Sequence, residues 1–450
     1  MLTTSPSAST SALSTTDRLA LLYRRAGFGA SPTELSAAVT AGYGATVDQL
    51  VAGIGAPDPA ADALPVPALT QPPTDYRRLK ADPAAVKALN RTLQGEREAL
   101  ITWWLARMVA TTQPLGEKLT LLLHGQFPTA VSKVRFPFYM HGQNQLFRTL
   151  GGGDFATLTQ AVSTDPAMLI WLDAGSDKAA DPNENFAREL MERFTMGIGT
   201  YTEADVRAAA YCFTGWRVGP GGTFTVDART HSTAPQTVLG TTGLTTGQQV
   251  IDLVTRSQAS ARFVPARLWS HLAYPVTTDD PVVHDLSPGY AQDRNVASLV
   301  RAILEHPQFS TPTTAAGLVK QPTEYVVGAL RALGFTGADL LGGRPRLGTT
   351  MADMGQVLFD PPSVGGWAQN QYWLSTSAAL ARWRFAGELC RAADLSPVAD
   401  AAPGSRVDAA AAMLSIPSWS TATAASLARA SGDPATLMTL ALNAPEYVTN

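Results

Sequence analysis

The segment from Asp173 to Arg217 holds the densest group of side chains that could do chemistry. Its pattern predicts two capped helices joined by a glycine turn. On the first helix, Asn185, Glu189 and Glu192 are three or four residues apart and therefore share one stripe. Carboxylates on a half-buried helix face suit general acid/base catalysis, so Glu189 and Glu192 are our candidate catalytic residues. In the competing interpretation they pair with arginines of adjacent helices and only orient the bundle.

Polar residues at both ends of this segment could position a substrate. The sequence Asp181-Pro182-Asn183-Glu184 has the features of a helix start, with proline at the first helical position and glutamate at the third. Glu184 and Arg188 are four residues apart and can pair on that helix. The residues that we assign to substrate positioning here are Asn183, Asn185, Arg188, Trp216 and Arg217.

His124 is the third candidate catalytic residue. It ends the apolar run LLLHGQF, and the polar residues that follow could donate hydrogen bonds to an anionic or sugar-like ligand. A tryptophan between glycines, as in the run GGW, usually needs a pocket to occupy. The further predicted ligand contacts are Gln143, Asn144, Arg148, His231 and Trp367. A histidine at the end of an apolar helix is often a buried residue or a helix cap instead, and that interpretation stays open.

Several familiar sites do not fit the sequence. The run GIGTYTEAD resembles the tail of an EF-hand loop, but the carboxylates required at its first positions are missing. No Glu-x-x-His motif supports a dimetal site, so no metal ligand is assigned. No GxSxG elbow, Rossmann GxGxxG or Walker lysine occurs in the expected context. No cofactor can therefore be named from the sequence.

Composition limits the class of protein. The 450 residues are 45% hydrophobic and 16% charged, which is typical of a folded globular chain. A net charge of −3 gives no basic footprint, so we expect no nucleic-acid partner. No apolar run approaches the ~18 residues that span a membrane, so no membrane partner is expected. The Ser/Thr-rich N-terminus lacks the pattern of a signal peptide, which predicts a cytoplasmic location.

Helical patterns fill most of the chain. One region, residues 219–246, is rich in Gly, Thr and β-branched residues instead. We therefore predict a mainly α fold, a multi-helix globular bundle with one small irregular β insertion at 219–246. The other predicted regions are a disordered lead-in at 1–15, an N-terminal three-helix module at 16–55, a Pro-rich arm at 56–82, a central helical core at 83–218, and a C-terminal helical region at 247–450 packed on that core.

The chain also resembles a known family. The runs LLYRRAGFGASPTEL, LTLLLHGQFPTAVSKV, NENFAREL, QPTEYVVGALRALG and FDPPSVGGW are similar to those of the bacterial domain-of-unknown-function family 1800. The resemblance covers about residues 17–383 and implies an exported protein with a possible sulfatase-like partner protein. The chain departs from the family pattern at Gln126 and Ser232, where family members tend to have histidine and aspartate. The first departure removes a ligand from any metal site that uses His124.

These observations favour one function and leave two alternatives open. The leading hypothesis is an enzyme with a helical cleft lined by the central segment, His124 and the GGW loop. It would perform acid/base chemistry, hydrolytic or lytic, on a polar small molecule or glycan. The first alternative is a non-catalytic binding or scaffold protein that works with a partner protein. The second alternative is a metalloprotein.

Overall fold

The computed structural model describes residues 13–73, 79, 81–343 and 347–449. Most of the predicted lead-in at 1–15 lies outside these residues. The three predicted N-terminal helices are α1 (Thr15–Arg25), α2 (Pro32–Ala41) and α3 (Tyr43–Ala52). Ser31 caps α2, because its side chain accepts a hydrogen bond from the Glu34 amide while the Glu34 carboxylate accepts one from the Ser31 amide.

The segment predicted as a Pro-rich arm includes one short helix, α4 (Pro59–Asp62). Its N-cap, Asp58, is buried and accepts hydrogen bonds from both Thr111 and Thr112. These bonds tie the start of the segment to the end of the long helix that follows. Residues 74–78 and 80 of the predicted arm lie outside the described residues.

The central region is helical. Its helices are α5 (Pro83–Ala110), α6 (Pro114–Gln126), α7 (Val131–Val134), α8 (Pro137–Leu150), α9 (Phe155–Ser163), α10 (Pro166–Trp171), α11 (Glu184–Glu189) and α12 (Glu203–Phe213). A 3₁₀ turn at Ala174–Ser176 precedes α11, and a π-helical turn at Leu190–Thr195 extends it. The N-cap of α11 is Asn183, so the helix begins after the predicted Asp181-Pro182 start. Asp181 is instead paired with Lys178 in an isolated β-bridge.

Two antiparallel hairpins make up the β insertion. Strands β1 (Trp216–Val218) and β2 (Phe224–Val226) pair with Trp216 opposite Val226. Strands β3 (Gln236–Val238) and β4 (Thr241–Leu244) form the second pair. These are the strands of the described part of the chain, so the predicted mainly α fold with a small β insertion is confirmed. The insertion begins at Trp216, three residues before the predicted boundary.

Helices complete the chain after the hairpins. They are α13 (Gly247–Thr255), α14 (Gln258–Leu272), α15 (Pro281–Asp293), α16 (Val296–Glu305), α17 (Pro312–Ala315), α18 (Pro322–Ala332), α19 (Gly337–Leu341), α20 (Leu347–Asp353), α21 (Thr376–Ala392), α22 (Ser396–Ala399), α23 (Arg406–Met413), α24 (Thr421–Arg429), α25 (Pro434–Leu442) and α26 (Pro445–Val448). Short 3₁₀ turns at Pro220–Gly222, Pro307–Ser310, Asn370–Leu374 and Pro403–Ser405 link some of these elements.

Buried apolar side chains form two clusters. The first joins α1 and α3 to the central helices α9, α11 and α12 and to α13–α16. The second joins α5 to the C-terminal helices, and its fully buried Trp103 and Trp104 belong to the same cluster as Tyr325 and Phe385. The long helix α5 therefore contributes buried side chains that pack against the C-terminal region as well as against the central region. Such burial is the main favourable term in folding.

None of the helices in the described ranges combines the length and the apolar character needed to cross a membrane.

Candidate active site

A cleft of about 620 Å³ opens beside the π-helical turn. Its walls come from the end of α6, the π-helical turn with the glycine-rich turn after it, the first half of α14, and the loop around Gly365. Its charged lining residues are Glu192, Arg193, Arg262, Arg267 and Asp279. Three arginines thus face two carboxylates, so the lining carries an excess of positive charge.

The π-helical turn brings Glu192 and Arg193 to the cleft. The Thr195 hydroxyl donates to the Leu190 carbonyl at 2.6 Å, and the Met196 amide donates to the Met191 carbonyl at 3.0 Å. The Met196 backbone bond spans five residues, one more than in an α-helix, and the Thr195 bond is a side-chain bond over the same span. Turns of this kind occur frequently at functional sites because the extra residue redirects the side chains that follow it.

The two predicted catalytic carboxylates differ in their surroundings. Glu192 lines the cleft, accepts a hydrogen bond from the Tyr201 hydroxyl at 3.1 Å, and forms an ion pair with Arg193, whose Nε lies 3.1 Å from Glu192 Oε1. The Glu189 side chain is 12% exposed, and its Oε2 lies 4.0 Å from Arg193 Nε without a hydrogen bond in the described structure. Burial raises the pKa of Glu189, an effect that the nearby Arg193 opposes. Arg193 therefore lies next to both carboxylates.

Arg262 and Arg267 are half-buried on α14 and face the cleft. Neither forms an ion pair with any residue of the described ranges. Arg267 Nε donates to Gln126 Oε1 at 3.1 Å, and this neutral acceptor leaves its positive charge uncompensated. Burial, followed by the charge of Arg193, lowers the pKa of Arg267. A lowered pKa is what a cation shows when it is partly desolvated without a carboxylate.

Gln126 connects the two sides of the cleft. Its Nε2 donates to the carbonyls of Phe194 at 2.7 Å and Arg193 at 3.2 Å, while its Oε1 accepts from Arg267. The two carbonyls lie at the end of the π-helical turn, where backbone acceptors lack partners within the helix. One side chain therefore caps the π-helical turn and orients Arg267.

Most of the predicted site residues of the central segment make caps, ion pairs or packing contacts within the protein. Asn183 caps α11, and its Oδ1 accepts from the backbone amide of Asn185, whose side chain is half-buried. Arg188 bonds to Glu184 and Glu203 at the surface. Trp216 is buried, and its ring packs on Phe186, Phe213 and Phe224. Arg217 donates to three backbone carbonyls, those of Ala174, Trp216 and Asp177.

His124 is buried inside the protein and does not line the cleft. Its ring packs against Trp104, Phe147 and Phe359, with centroid distances of 4.7, 4.7 and 5.4 Å. The nearest polar group is Asn144 Nδ2, 3.1 Å from His124 Nε2. Burial lowers the pKa of His124 to about 3, so the ring is neutral at physiological pH. The structure does not bring His124 together with Glu192, although the next two residues of the chain do line the cleft.

The other predicted residues of α8 also have partners inside the protein. Gln143 accepts from the Thr129 hydroxyl at 2.5 Å and donates to Asp165 at 3.0 Å. Arg148 binds the Glu117 carboxylate through two hydrogen bonds of 2.7 and 3.0 Å. Gln143, Arg148 and the His124–Asn144 pair are thus bonded to other residues of the protein.

His231 and Trp367 lie at two separate places. His231 Nδ1 is 2.7 Å from the Thr214 carbonyl, in the loop after the first hairpin. Trp367 Nε1 donates to the Val357 carbonyl at 3.2 Å, and its ring lines a smaller cavity of about 60 Å³. The GGW loop still contacts α6, because Gly366 lies so close to Gly125 that a Cβ there would be 2.8 Å from the Gly125 carbonyl oxygen.

Sequence reasoning did not select four residues that the structure places at the cleft: Gln126, Arg193, Arg262 and Arg267. Arg262 and Arg267 are five residues apart, which is not a same-face spacing on an α-helix. The sequence signal for Arg193 is its position directly after Glu192, where an opposite charge adjoins a candidate catalytic carboxylate. Within the described residues, no three His, Cys, Asp or Glu side chains are grouped so that they could hold a metal ion.

Comparison with known proteins identifies the family. The family described as "Protein of unknown function (DUF1800)" matches residues 21–449, and the chain belongs to it. Comparisons with curated proteins and with solved structures found no match.

Proposed function

We propose that this DUF1800 chain is an enzyme that binds an anionic small molecule or glycan in the cleft and performs acid/base chemistry on it, hydrolytic or lytic in type. One observation carries the proposal: Arg262 and Arg267 face a 620 Å³ cleft without a carboxylate partner in the described part of the chain. A partly desolvated cation is costly unless it is paired. An anionic group of a ligand would supply the missing partner with charge-assisted hydrogen bonds.

The carboxylates beside the arginines support the catalytic part of the proposal. Glu192 lines the cleft, accepts a hydrogen bond from Tyr201 and forms an ion pair with Arg193, so its carboxylate is held where it can act as a general base. Burial raises the pKa of Glu189, which favours its protonated form and suits it to act as an acid. Two neighbouring carboxyls in different surroundings can divide the acid and base roles in this way.

Turnover of chromogenic substrates tests the catalytic role. The panel pairs 4-nitrophenyl glycosides and esters that carry a carboxylate with neutral counterparts of the same leaving group. We expect the wild type to release nitrophenol from a carboxylate-bearing member. Glu192→Gln should lower kcat at least about 100-fold, in the range typical of a general base. The matched control is Glu203→Gln, which removes a carboxylate from an exposed ion pair outside the cleft and should retain activity.

The same measurements separate the enzyme from a binding protein. Saturable anion binding without turnover of any panel member would favour the non-catalytic alternative. Equal kcat values for Glu192→Gln and Glu203→Gln would refute the role of Glu192. Thermal unfolding of each variant shows whether a loss of turnover is a loss of folding.

A further inference from the structure

One apolar side chain at the rim of the cleft stands in solvent. Ile198 lines the cleft and is 76% exposed, the largest exposure among the large apolar residues of the described chain. It occupies the middle of the Gly197–Ile198–Gly199 turn, which connects the π-helical turn to α12. A single exposed isoleucine is unremarkable on a protein surface. Ile198 differs from such residues in the backbone of the turn that carries it.

The backbone fixes Ile198 in place without burying it. Gly197 and Gly199 both have positive φ, +86° and +83°, a conformation that favours glycine. A Cβ on Gly197 would lie 3.0 Å from Phe263 Cδ2, so the turn rests directly on the Phe263 ring. The Gly197 amide also donates to the Met191 carbonyl at 3.0 Å. The turn is thus anchored at its base, and Ile198 projects from it.

Further apolar surface lies beside Ile198 within the same cleft. Met196, Phe263 and Val364 all contribute to its lining, and Phe263 and Val364 are half-buried. Arg262 and Arg267, which form no ion pair with the residues that the structure describes, line the same cavity. An apolar wall and uncompensated positive charge therefore share one space large enough for a small molecule.

We propose that the ligand is an anion that carries an apolar chain or ring, with its charged group at Arg262 and Arg267 and its apolar part against Ile198 and Phe263. This inference rests on the proposed anion-binding function and adds the class of ligand to it. A purely polar anion would leave Ile198 in water in the complex. An amphipathic anion removes that apolar surface from water, which is favourable in proportion to the area covered.

Calorimetric titration of the full chain with straight-chain carboxylates tests the inference. Sulfate and acetate report the charged group alone, hexanoate adds four methylenes, and hexanamide keeps the chain without the charge. Burying one methylene strengthens binding by about fourfold at most, so in this open cleft hexanoate should bind at least about tenfold more tightly than acetate. Hexanamide should bind at least about tenfold more weakly than hexanoate.

Variants at exposed positions assign the contact. Ile198→Ser should reduce the preference for hexanoate over acetate by about threefold or more, whereas Ile198→Val should largely keep it. Leu380→Ser is the matched control, because Leu380 is 48% exposed on α21 and does not line the cleft. Both serine variants alter exposed side chains, so thermal unfolding should show little change.

The outcomes distinguish the two proposals. If the wild type bound sulfate and acetate but bound hexanoate no more tightly than acetate, the proposal of an amphipathic ligand would be overturned. The proposal of an anion site would still stand. An Ile198→Ser variant with the same preference as Leu380→Ser would overturn the contact. If hexanamide bound as tightly as hexanoate, the claim that the ligand's charged group contributes to binding would be overturned. Failure of the wild type to bind any of the anions would overturn the proposed function itself.

Discussion

Replacing Gln126 with leucine should affect both the stability of the fold and the affinity of the cleft. Leucine has a similar volume but removes three hydrogen bonds, two to the carbonyls of Phe194 and Arg193 and one from Arg267. At about 1 kcal/mol net for each bond, the free energy of unfolding should fall by about 3 kcal/mol. Urea unfolding of Gln126→Leu against wild type measures this change.

The effect on anion binding follows from the freedom that Arg267 gains. Its charge remains, but its side chain is no longer held by Gln126. Ordering one long side chain on binding costs about 0.5–1.5 kcal/mol, so the Kd for sulfate should rise about two- to tenfold. Calorimetric titration at constant ionic strength measures the change.

Gln126→Glu separates orientation from charge. The carboxylate can still accept from Arg267, but it neutralises that cation and repels an incoming anion, so sulfate binding should weaken more than in Gln126→Leu. If Gln126→Leu lowers stability and both variants bind sulfate as the wild type does, then Gln126 is only a helix cap. That result would refute the reasoning that links Gln126 to the orientation of Arg267.

Three further predictions concern residues outside the cleft lining, and urea unfolding of the variants tests each of them. Burial raises the pKa of Asp165 from its ordinary 3.8 to about 7. Between these two pH values the folded chain binds a proton that the unfolded chain has lost, so the free energy of unfolding falls as the pH rises from 3.8 to about 7. Asp165→Asn should therefore raise the free energy of unfolding at pH 8 by up to about 4 kcal/mol and change it little at pH 4; an equal effect at both pH values would contradict this. Lys118→Met leaves the buried Glu324 carboxylate without its cation and should lower the free energy of unfolding by about 3–5 kcal/mol. The double variant Lys118→Met/Glu324→Leu should regain part of that stability, because it removes the unpaired carboxylate as well. Arg188→Ala breaks exposed ion pairs and should cost less than about 1 kcal/mol, with sulfate affinity unchanged.

The parts of the fold that could be predicted from sequence are those decided locally. The N-caps Ser31, Asp154, Asp165 and Thr202 have the residue types that favour this position, and each accepts a hydrogen bond from the first turn of its helix. Such caps involve residues two or three positions apart and need no knowledge of tertiary structure. The start of α11 was predicted less well, because Asn183 offers the same cap chemistry two residues after Asp181 and tertiary contacts decide between them.

The site was harder to predict because it depends on contacts between distant parts of the chain. Gln126 and Arg267 are 141 positions apart and share a hydrogen bond, and no periodic pattern connects them. The π-helical turn, which contains the cleft residue Glu192, also escapes a search based on 3.6 residues per turn. Sequence reasoning could therefore select Glu192 by its type and neighbourhood, but not the arginines that face it.

His124 shows the converse difficulty. A histidine beside several polar residues is the same in sequence whether it faces a ligand or the core. The rings that enclose it come from Trp104, Phe147 and Phe359, which are spread over the chain. Tertiary packing alone determines its environment.

Sulfate titration of the arginine variants is the most direct test of the central claim, that the cleft is an anion site. We expect saturable binding of one sulfate per wild-type chain, and a Kd at least about tenfold higher in Arg262→Met and in Arg267→Met, since each removes charge-assisted hydrogen bonds worth about 1.5–3 kcal/mol. The control Arg207→Met removes an exposed arginine of α12 that does not line the cleft, and should bind as the wild type does. Sulfate affinity that is equal in the wild type and the Arg262→Met/Arg267→Met double variant would contradict the account.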